Sequence, residues 1–227
     1  MNVLLFGATG MIGQGVLREC LKDPGVTRVV SVARRTTGTS HPKLREVLHA
    51  DFRDFGAIAA DLSGHDVCFF CLGTSSAGMN EADYRRVTYD VALAAANALL
   101  AGSPEVRFIF VSGAGTDSTG RGRTMWARVK GQTENALLKL PFTSAFMVRP
   151  AYIQPRHGIL ASGRLTRVMY RVLGVFYPVL KALAPGFATT TEDLGRAMLH
   201  LARHGGPKAV LESRDLVQYA TAARAVD

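Results

Sequence analysis

Short runs of apolar residues alternate with longer amphipathic segments over the first part of the chain. Apolar runs closed by glycine or polar residues are typical of strands that are buried on both faces. The segments between them place apolar residues at helical spacing. The predicted strands are 3–6, 29–33, 44–50, 66–72, 107–112 and 145–148. The predicted helices are 10–22, 55–62, 81–101 and 124–140.

This alternation of strands and helices indicates the α/β class. Right-handed crossovers give a doubly wound parallel sheet, the Rossmann fold, whose ligands bind at the carboxyl ends of the strands. The elements predicted after Pro150 are a helix over 161–183, a helix over 191–204, a strand near 209–211 and a last helix from Ser213. We expect residues 1–153 to form the Rossmann core. Residues 154–227 should form a small helical C-terminal lobe that completes the same domain and covers the strand ends.

The first strand runs into a glycine-rich turn, Gly7-Ala8-Thr9-Gly10-Met11-Ile12-Gly13, and a predicted helix follows it. In a dinucleotide-binding turn, one glycine permits a sharp bend, another brings the backbone near the pyrophosphate, and a third allows close helix–strand packing. The helix N-terminus then offers N–H groups and a positive dipole end to the phosphates. The alternative is a glycine turn without a ligand. The turn residues predicted to contact a cofactor are Gly7, Thr9, Gly10, Met11, Ile12 and Gly13.

The second strand ends in Ala33-Arg34-Arg35, where a turn that binds NAD would carry Asp or Glu. Two guanidinium groups can grip the 2′-phosphate of NADP bidentately. NADP(H) is therefore the preferred cofactor, NAD(H) is a second possibility, and a solvated basic turn is the alternative. Asp51, which ends the third strand, is placed to contact the adenine. The other strand-end residues predicted to line the cofactor are Phe52, Leu72, Gly73 and Thr74.

Several segments carry a family resemblance: the glycine turn, Gly64-His65-Asp66-Val67-Cys68-Phe69-Phe70-Cys71-Leu72-Gly73-Thr74, Val129-Lys130-Gly131 and Arg149-Pro150. In these segments the chain resembles the extended and atypical short-chain dehydrogenase/reductases, especially the Tat-interacting-protein-like oxidoreductases. The resemblance implies a Rossmann domain, NADP(H), and an active site of Tyr-x-x-x-Lys with a serine after the fifth strand. Lys130 matches the lysine, which in the family holds the nicotinamide ribose. Ser112 is the nearest hydroxyl to the serine position, and the alternative is that this position falls on Ala114. The residues expected to line the cofactor after the sixth strand are Pro150, Tyr152 and Ile153.

Trp126 stands where the family has its tyrosine, four residues before Lys130. An indole N–H cannot serve as the proton donor that a phenol provides. Tyr152 and His157 are candidate substitute acids, with a structural role as the alternative for each. The expected function is an NADP(H)-dependent oxidoreductase acting on a small carbonyl-type metabolite. The alternative is a catalytically impaired regulatory or interaction protein that binds NADP(H).

Net charge and cysteine content bear on which partners the protein could bind and on the compartment in which it is found. The 227 residues include 27 Lys and Arg against 18 Asp and Glu, a formal charge of +9, which permits an acidic partner without choosing one. Cys68 and Cys71 form a C-x-x-C pattern inside an apolar strand, where residues three apart face opposite sides. Neither a redox role nor a metal site is therefore expected. Three cysteines in such a chain fit a reducing compartment, and the expected location is the cytoplasm.

Arg164, Arg167 and Arg171 share one face of the predicted helix over 161–183. A basic amphipathic helix can lie on an anionic membrane surface or dock a partner. The favoured interpretation is a lid whose apolar face closes on the core and whose arginines are solvated. No apolar stretch is long enough to predict a transmembrane helix. Nucleic-acid binding is not expected either, because no aromatic platform or recognition motif supports it.

Overall fold

The computed structural model of the protein describes residues 1–160, 174 and 177–224. Its strands are β1 Asn2–Phe6, β2 Arg28–Ala33, β3 Leu44–Leu48, β4 Val67–Phe70, β5 Arg107–Val111, β6 Ser144–Arg149, β7 Tyr152–Gln154, β8 Ala188–Thr190 and β9 Val210–Glu212. Seven of them form one sheet in the order β3-β2-β1-β4-β5-β6-β9. Every neighbouring pair is parallel. The predicted doubly wound α/β fold is thereby confirmed.

The helices occur between the strands, as the apolar spacing predicts. They are α1 Met11–Lys22, a 3₁₀-helix Gly56–Leu62, α2 Glu81–Arg85, a π-helical turn Arg86–Asp90, α3 Val91–Gly102, α4 Met125–Leu137, α5 Tyr177–Leu183, α6 Thr191–His204 and α7 Ser213–Arg224. The single helix predicted over 81–101 is thus interrupted by the π-helical turn. The helix predicted over 55–62 is a 3₁₀-helix.

The sheet separates two hydrophobic clusters, one on each face. Along β1, Val3 and Leu5 belong to the first cluster, whereas Leu4 and Phe6 belong to the second. The first cluster includes the apolar faces of α1, α6 and α7, and the second includes those of the 3₁₀-helix, α3 and α4. Since both faces are buried, the strands need apolar residues at successive positions, which explains their near-continuous apolar runs.

The C-terminal segment builds more of the sheet than the sequence predicts. Strand β9 pairs in parallel with β6, with Val148 opposite Leu211, and α6 and α7 cover one face of the sheet. This part of the expected lobe therefore completes the core instead of covering the strand ends. The helix predicted over 161–183 lies largely outside the described residues, which include its last part as α5.

The two cysteines of the C-x-x-C pattern lie on opposite faces of the sheet. Cys68 lies in the second cluster, and Cys71 packs against the first, so the two thiols diverge as predicted. Both are free, as is Cys20, and burial raises the pKa of the Cys68 thiol well above its usual value. In the part of the chain that the structure describes, no group of His, Cys, Asp and Glu could hold a metal ion.

Candidate functional site

The glycine turn joins β1 to α1 through two very close backbone approaches. Gly7 has φ +84°, and a Cβ there would lie 2.7 Å from the carbonyl carbon of Cys71, at the end of the neighbouring β4. A Cβ on Gly13 would lie 2.0 Å from the Gly7 carbonyl oxygen. Both positions therefore require glycine, because any side chain would separate the turn from β4 or α1 from the turn.

The N-terminus of α1 is free to receive an anion. Its N-cap residue, Gly10, makes no side-chain cap, and the first turn contains no acidic residue. The first N–H groups of a helix lack partners within the helix, and the helix dipole adds partial positive charge there. This end of α1 therefore has the properties of a phosphate site.

Two adjoining cavities form a cleft along the carboxyl ends of β1 to β4. The first, of about 430 Å³, lies between the glycine turn and the ends of β2 and β4. The second, of about 610 Å³, continues past the end of β3 to the π-helical turn. Arg34, Phe52, Leu72 and Gly73 line both cavities. The predicted cofactor residues that line this cleft are Gly7, Thr9, Gly10, Arg34, Arg35, Asp51, Phe52, Leu72, Gly73 and Thr74.

The other residues predicted in the turn lie beneath the cleft. Met11 and Ile12 pack against the first hydrophobic cluster, and Gly13 is buried against Gly7. Their contribution is to seat α1 on β1. The cleft also includes Met79, Arg86 and Val87, which sequence reasoning missed. The π-helical turn places Arg86 and Val87 there, and no spacing in the sequence indicates such a turn.

The cleft is basic where β2 ends. Arg34 and Arg35 are exposed, and no hydrogen bond or ion pair joins either side chain to the residues that the structure describes. Asp51 lies further along the cleft, where the backbone N–H of Arg53 donates to its Oδ1 at 3.0 Å. That bond is the main cause of a lowered pKa of Asp51, so this carboxylate is ionised at neutral pH.

Lys130 lies on α4 and points to the end of β5, where its Nζ donates a hydrogen bond to the carbonyl oxygen of Ser112. Burial lowers the pKa of Lys130 to about 8, while the Glu134 carboxylate acts in the opposite direction. The Trp126 ring lies beside Gly115 in the loop after β5, 3.5 Å from where a Cβ on that glycine would be. The structure therefore brings Lys130, Ser112 and Trp126 to one strand end.

The Ser112 hydroxyl points into a buried ion cluster. It donates to Glu134 Oε1 at 2.5 Å, and Arg149 Nε donates to the same oxygen at 3.0 Å. Arg149 also donates to Ser118 Oγ at 2.6 Å and to Glu212 Oε1 at 3.0 Å. The cluster thus joins β5, α4, β6 and β9, which accounts for the arginine of the Arg149-Pro150 segment.

The glycine of Val129-Lys130-Gly131 has a steric explanation. A Cβ on Gly131 would lie 1.7 Å from the carbonyl oxygen of Asp117, so the loop after β5 rests directly on the α4 backbone. Asp117 orders that loop, because its carboxylate accepts hydrogen bonds from the Thr119 hydroxyl and the Gly122 N–H at 2.6 Å each. The Thr119 bond is the main cause that lowers the pKa of Asp117 to about 2.

The residues predicted after β6 lie apart from the two cavities of the cleft. The Pro150 carbonyl accepts a hydrogen bond from the N–H of Ala114 at 2.9 Å, and Ile153 is buried in the first hydrophobic cluster. The Tyr152 hydroxyl donates to Gln154 Oε1 at 2.6 Å. His157 Nε2 lies 2.7 Å from Glu192 Oε2. None of the four is among the described residues that line the cleft.

A parallel sheet with an uncapped helix after a glycine turn, beneath a basic cleft, defines a dinucleotide-binding Rossmann protein. Residues 7–139 match the model of the NAD(P)H-binding family. The chain therefore belongs to this family, which is NAD(P)-binding and oxidoreductase-like.

Curated relatives cover nearly the whole chain. The protein FMP52 of Chaetomium globosum is 28% identical over 225 residues, which are 95% of this chain and 95% of the relative. The protein HTATIP2 of Rattus norvegicus is 26% identical over 221 residues, which are 95% of this chain and 88% of that protein. The predicted relationship to the atypical short-chain dehydrogenase/reductases is confirmed.

Solved structures show the same fold. WbmF of Bordetella bronchiseptica, in complex with NAD⁺ and UDP, has a TM-score of 0.69 at 17% identity. The match covers 99% of this chain and 76% of that one. Uronate dehydrogenase from Agrobacterium tumefaciens has a TM-score of 0.65 at 18% identity, over 93% of this chain and 76% of that one. At these identities the likeness concerns the fold alone.

The expectation of a cytoplasmic protein is wrong. It rested on cysteine content, whereas the fungal relatives, among them those of Chaetomium globosum and Emericella nidulans, are named as mitochondrial proteins. Free cysteines indicate a reducing environment and do not distinguish one such compartment from another. Among the helices that the structure describes, none is long and apolar enough to cross a membrane.

Proposed function

We propose that the protein binds NADP(H) in the cleft and uses it as an oxidoreductase on a small carbonyl-type metabolite. The observation that carries the cofactor choice is the pair Arg34 and Arg35, whose guanidinium groups line the cleft beside the glycine turn without a partner among the described residues. A 2′-phosphate would supply the charge and the acceptors that these groups lack.

The rest of the cleft fits the other parts of a dinucleotide. The free N-terminus of α1 would hold the pyrophosphate, and the cavity that includes Asp51 and Phe52 would hold the adenine. Gly73 and Thr74, which follow β4, would line the part of the dinucleotide that runs from the pyrophosphate toward β5. Lys130 would hold the nicotinamide ribose at the end of β5. A cofactor held in this way would supply or accept a hydride at its nicotinamide.

Proton transfer is the part of the chemistry that this chain does not supply in the usual way. Trp126 has no acidic proton to give, and the Ser112 hydroxyl is directed to Glu134. These two observations favour a second candidate function, in which the protein binds NADP(H) tightly and acts as a regulatory or interaction protein without turnover.

Turnover distinguishes the two functions. The purified protein is mixed with NADPH and a panel of small aldehydes and ketones, and NADPH consumption is followed. The oxidoreductase proposal predicts consumption with at least one class of carbonyl, and a loss of at least about tenfold in Lys130→Met. Tight NADPH binding with no consumption, in the wild type and in Trp126→Tyr, would reject the enzyme in favour of the binding protein.

Cofactor choice is tested separately, through binding. Arg34→Asp replaces a cation that faces the 2′-phosphate by an anion, and we expect NADPH affinity to fall by about a hundredfold while NADH affinity changes little. Arg214→Asp is the matched control, because it makes the same charge change on α7, away from the cleft. Equal losses for the two nucleotides in Arg34→Asp would show that the arginine does not read the 2′-phosphate.

A further inference from the structure

A third cavity, of about 650 Å³, flanks α1 on the side away from the β4 end of the cleft. One wall is α1, through Leu17, Arg18 and Lys22. The opposite wall is the loop after β2, from Arg35 to His41. Its volume falls within the range of small-molecule sites. It shares Thr9 and Arg35 with the cleft, and the rest of its lining is assigned to no part of the proposed cofactor.

The described lining of this cavity is basic. It includes Arg18, Lys22, Arg35 and His41 and no carboxylate. Arg18 is paired with Glu19, whereas the side chains of Lys22 and Arg35 make no hydrogen bond or ion pair with the residues that the structure describes. Two cations on facing walls, neither paired among the described residues, favour an anion between them.

The loop wall is held in place by a carboxylate behind it. Glu46, on β3, accepts a hydrogen bond from the Thr36 hydroxyl at 2.5 Å and another from the Thr37 N–H at 2.7 Å. Together with the Thr37 hydroxyl, these bonds lower the pKa of Glu46 despite its partial burial. The hydroxyl-bearing wall is thus built before any ligand arrives, which reduces the entropy cost of binding.

The same cavity has an apolar side. Ala8 and Leu17 are buried, and Leu21 and Ile159 are half-buried where they line it. A ligand that fills the space would therefore present its anionic group to the cations and an apolar portion to these side chains. A free inorganic ion would use only one side of the cavity.

We propose that this flanking cavity is a second binding site, which takes a phosphate monoester with a short apolar chain. Arginine and lysine favour a phosphate group over a neutral polar group. Because Thr9 and Arg35 line both this cavity and the cleft, a ligand here shares Arg35 with the cofactor. The site itself is independent of the proposed cofactor, but this coupling rests on the proposed function.

Calorimetric titration with octyl phosphate tests the site. The protein should bind octyl phosphate at least about tenfold more tightly than inorganic phosphate, because the octyl group buries apolar surface that the free ion lacks. Lys22→Gln should weaken octyl phosphate by about fivefold to tenfold, whereas Lys139→Gln, which removes an exposed lysine from the end of α4, should not. Equal binding of octyl phosphate and inorganic phosphate, no effect of Lys22→Gln, or tighter binding of octanoate would overturn the proposal.

The coupling is measured in the same experiment with cofactor present. NADPH should weaken octyl phosphate binding more than NADH does, and octyl phosphate should weaken NADPH binding by the same factor. Arg34→Asp, which lies outside the flanking cavity, should lose NADPH and keep octyl phosphate. A failure of NADPH to bind would reject the proposed function while octyl phosphate still reports on the site. Unchanged octyl phosphate binding at saturating NADPH would reject the shared use of Arg35.

Discussion

The buried carboxylate of Glu134 shows how strongly single residues act at the end of β5. Its side chain is 1% exposed and its partner Arg149 is 8% exposed. Two charges can be buried in this way only because they pair with each other and form further hydrogen bonds with the hydroxyls of Ser112 and Ser118. The cluster links β5 and β6 to α4, the helix that carries Lys130.

Glu134→Gln tests this cluster with almost no change in volume. It leaves Arg149 with a single, half-exposed carboxylate partner, Glu212, and we expect the free energy of unfolding to fall by about 3–5 kcal/mol. Arg86→Gln is the control, since it removes an exposed ion pair with Asp83 and should cost less than about 1 kcal/mol. Urea unfolding measures both. Similar small losses in the two variants would contradict a stabilising role for the buried pair.

Lys130 has a predictable effect on the pH dependence of stability. Its pKa is lowered from 10.5 to about 8 by burial, so below pH 8 the folded protein carries a buried charge that the unfolded chain solvates. Between pH 8 and pH 10.5 the Lys130 amine is protonated in the unfolded state and largely neutral in the folded state. The free energy of unfolding therefore rises with pH over this range. Relative to Lys130→Met, the wild type should gain on the order of 2–3 kcal/mol as pH rises from 8 to 10.5. Parallel stability curves for the two proteins would contradict the lowered pKa.

The sequence predicts which residues lie at the end of β5 better than it predicts where their side chains point. Lys130 and Ser112 do meet at one strand end, because a helix after β5 returns along the sheet. The direction of the Ser112 hydroxyl depends on Glu134, and that pairing depends in turn on Arg149 from the next strand. Such long-range polar contacts leave no periodic signal in the sequence.

At the scale of elements, the crossing of α1 and α6 depends on two glycines outside the glycine-rich turn. A Cβ on Gly15 would lie 2.6 Å from the carbonyl oxygen of Thr191, and a Cβ on Gly195 would lie 2.9 Å from the Glu19 Cγ. The two helices therefore approach with their backbones almost in contact, so α6 packs closely along α1.

Gly15→Ala tests this crossing against helix propensity. In an ordinary helix interior the change stabilises by about 1 kcal/mol. Here the new methyl group meets backbone atoms that cannot rotate away, so we expect a net loss of about 1–3 kcal/mol. Gly195→Ala should lose less, because its nearest neighbour is a side chain that can move. Thermal unfolding compares them, and a stabilised Gly15→Ala would show that α6 has room to retreat.

The elements themselves were predictable wherever burial on both faces required continuous apolar runs, as in β1 and β4. The strand at Val210–Glu212 was anticipated as a short strand but not as part of the main sheet. Its three residues carry no information about which edge of the sheet they join. The π-helical turn at Arg86–Asp90 was missed for a similar reason.

At the scale of the whole molecule, the cleft collects strand ends that are far apart in the chain. Parallel topology brings the glycine turn, Arg34, Asp51 and Gly73 to the carboxyl ends of neighbouring strands. This arrangement could be predicted from the order of strands and helices in the sequence. The flanking cavity beside α1 could not, because it depends on how Glu46 holds the loop after β2. Localisation lay outside what residue chemistry determines.

The central claim is that the cleft selects a dinucleotide with a 2′-phosphate, and direct binding tests it best. Calorimetric titration of the protein with NADPH and with NADH compares two ligands that differ only in that phosphate. Arg34 and Arg35, which have no partner among the described residues, predict that NADPH binds at least about tenfold more tightly. Equal affinities, or no binding of either nucleotide, would contradict the account.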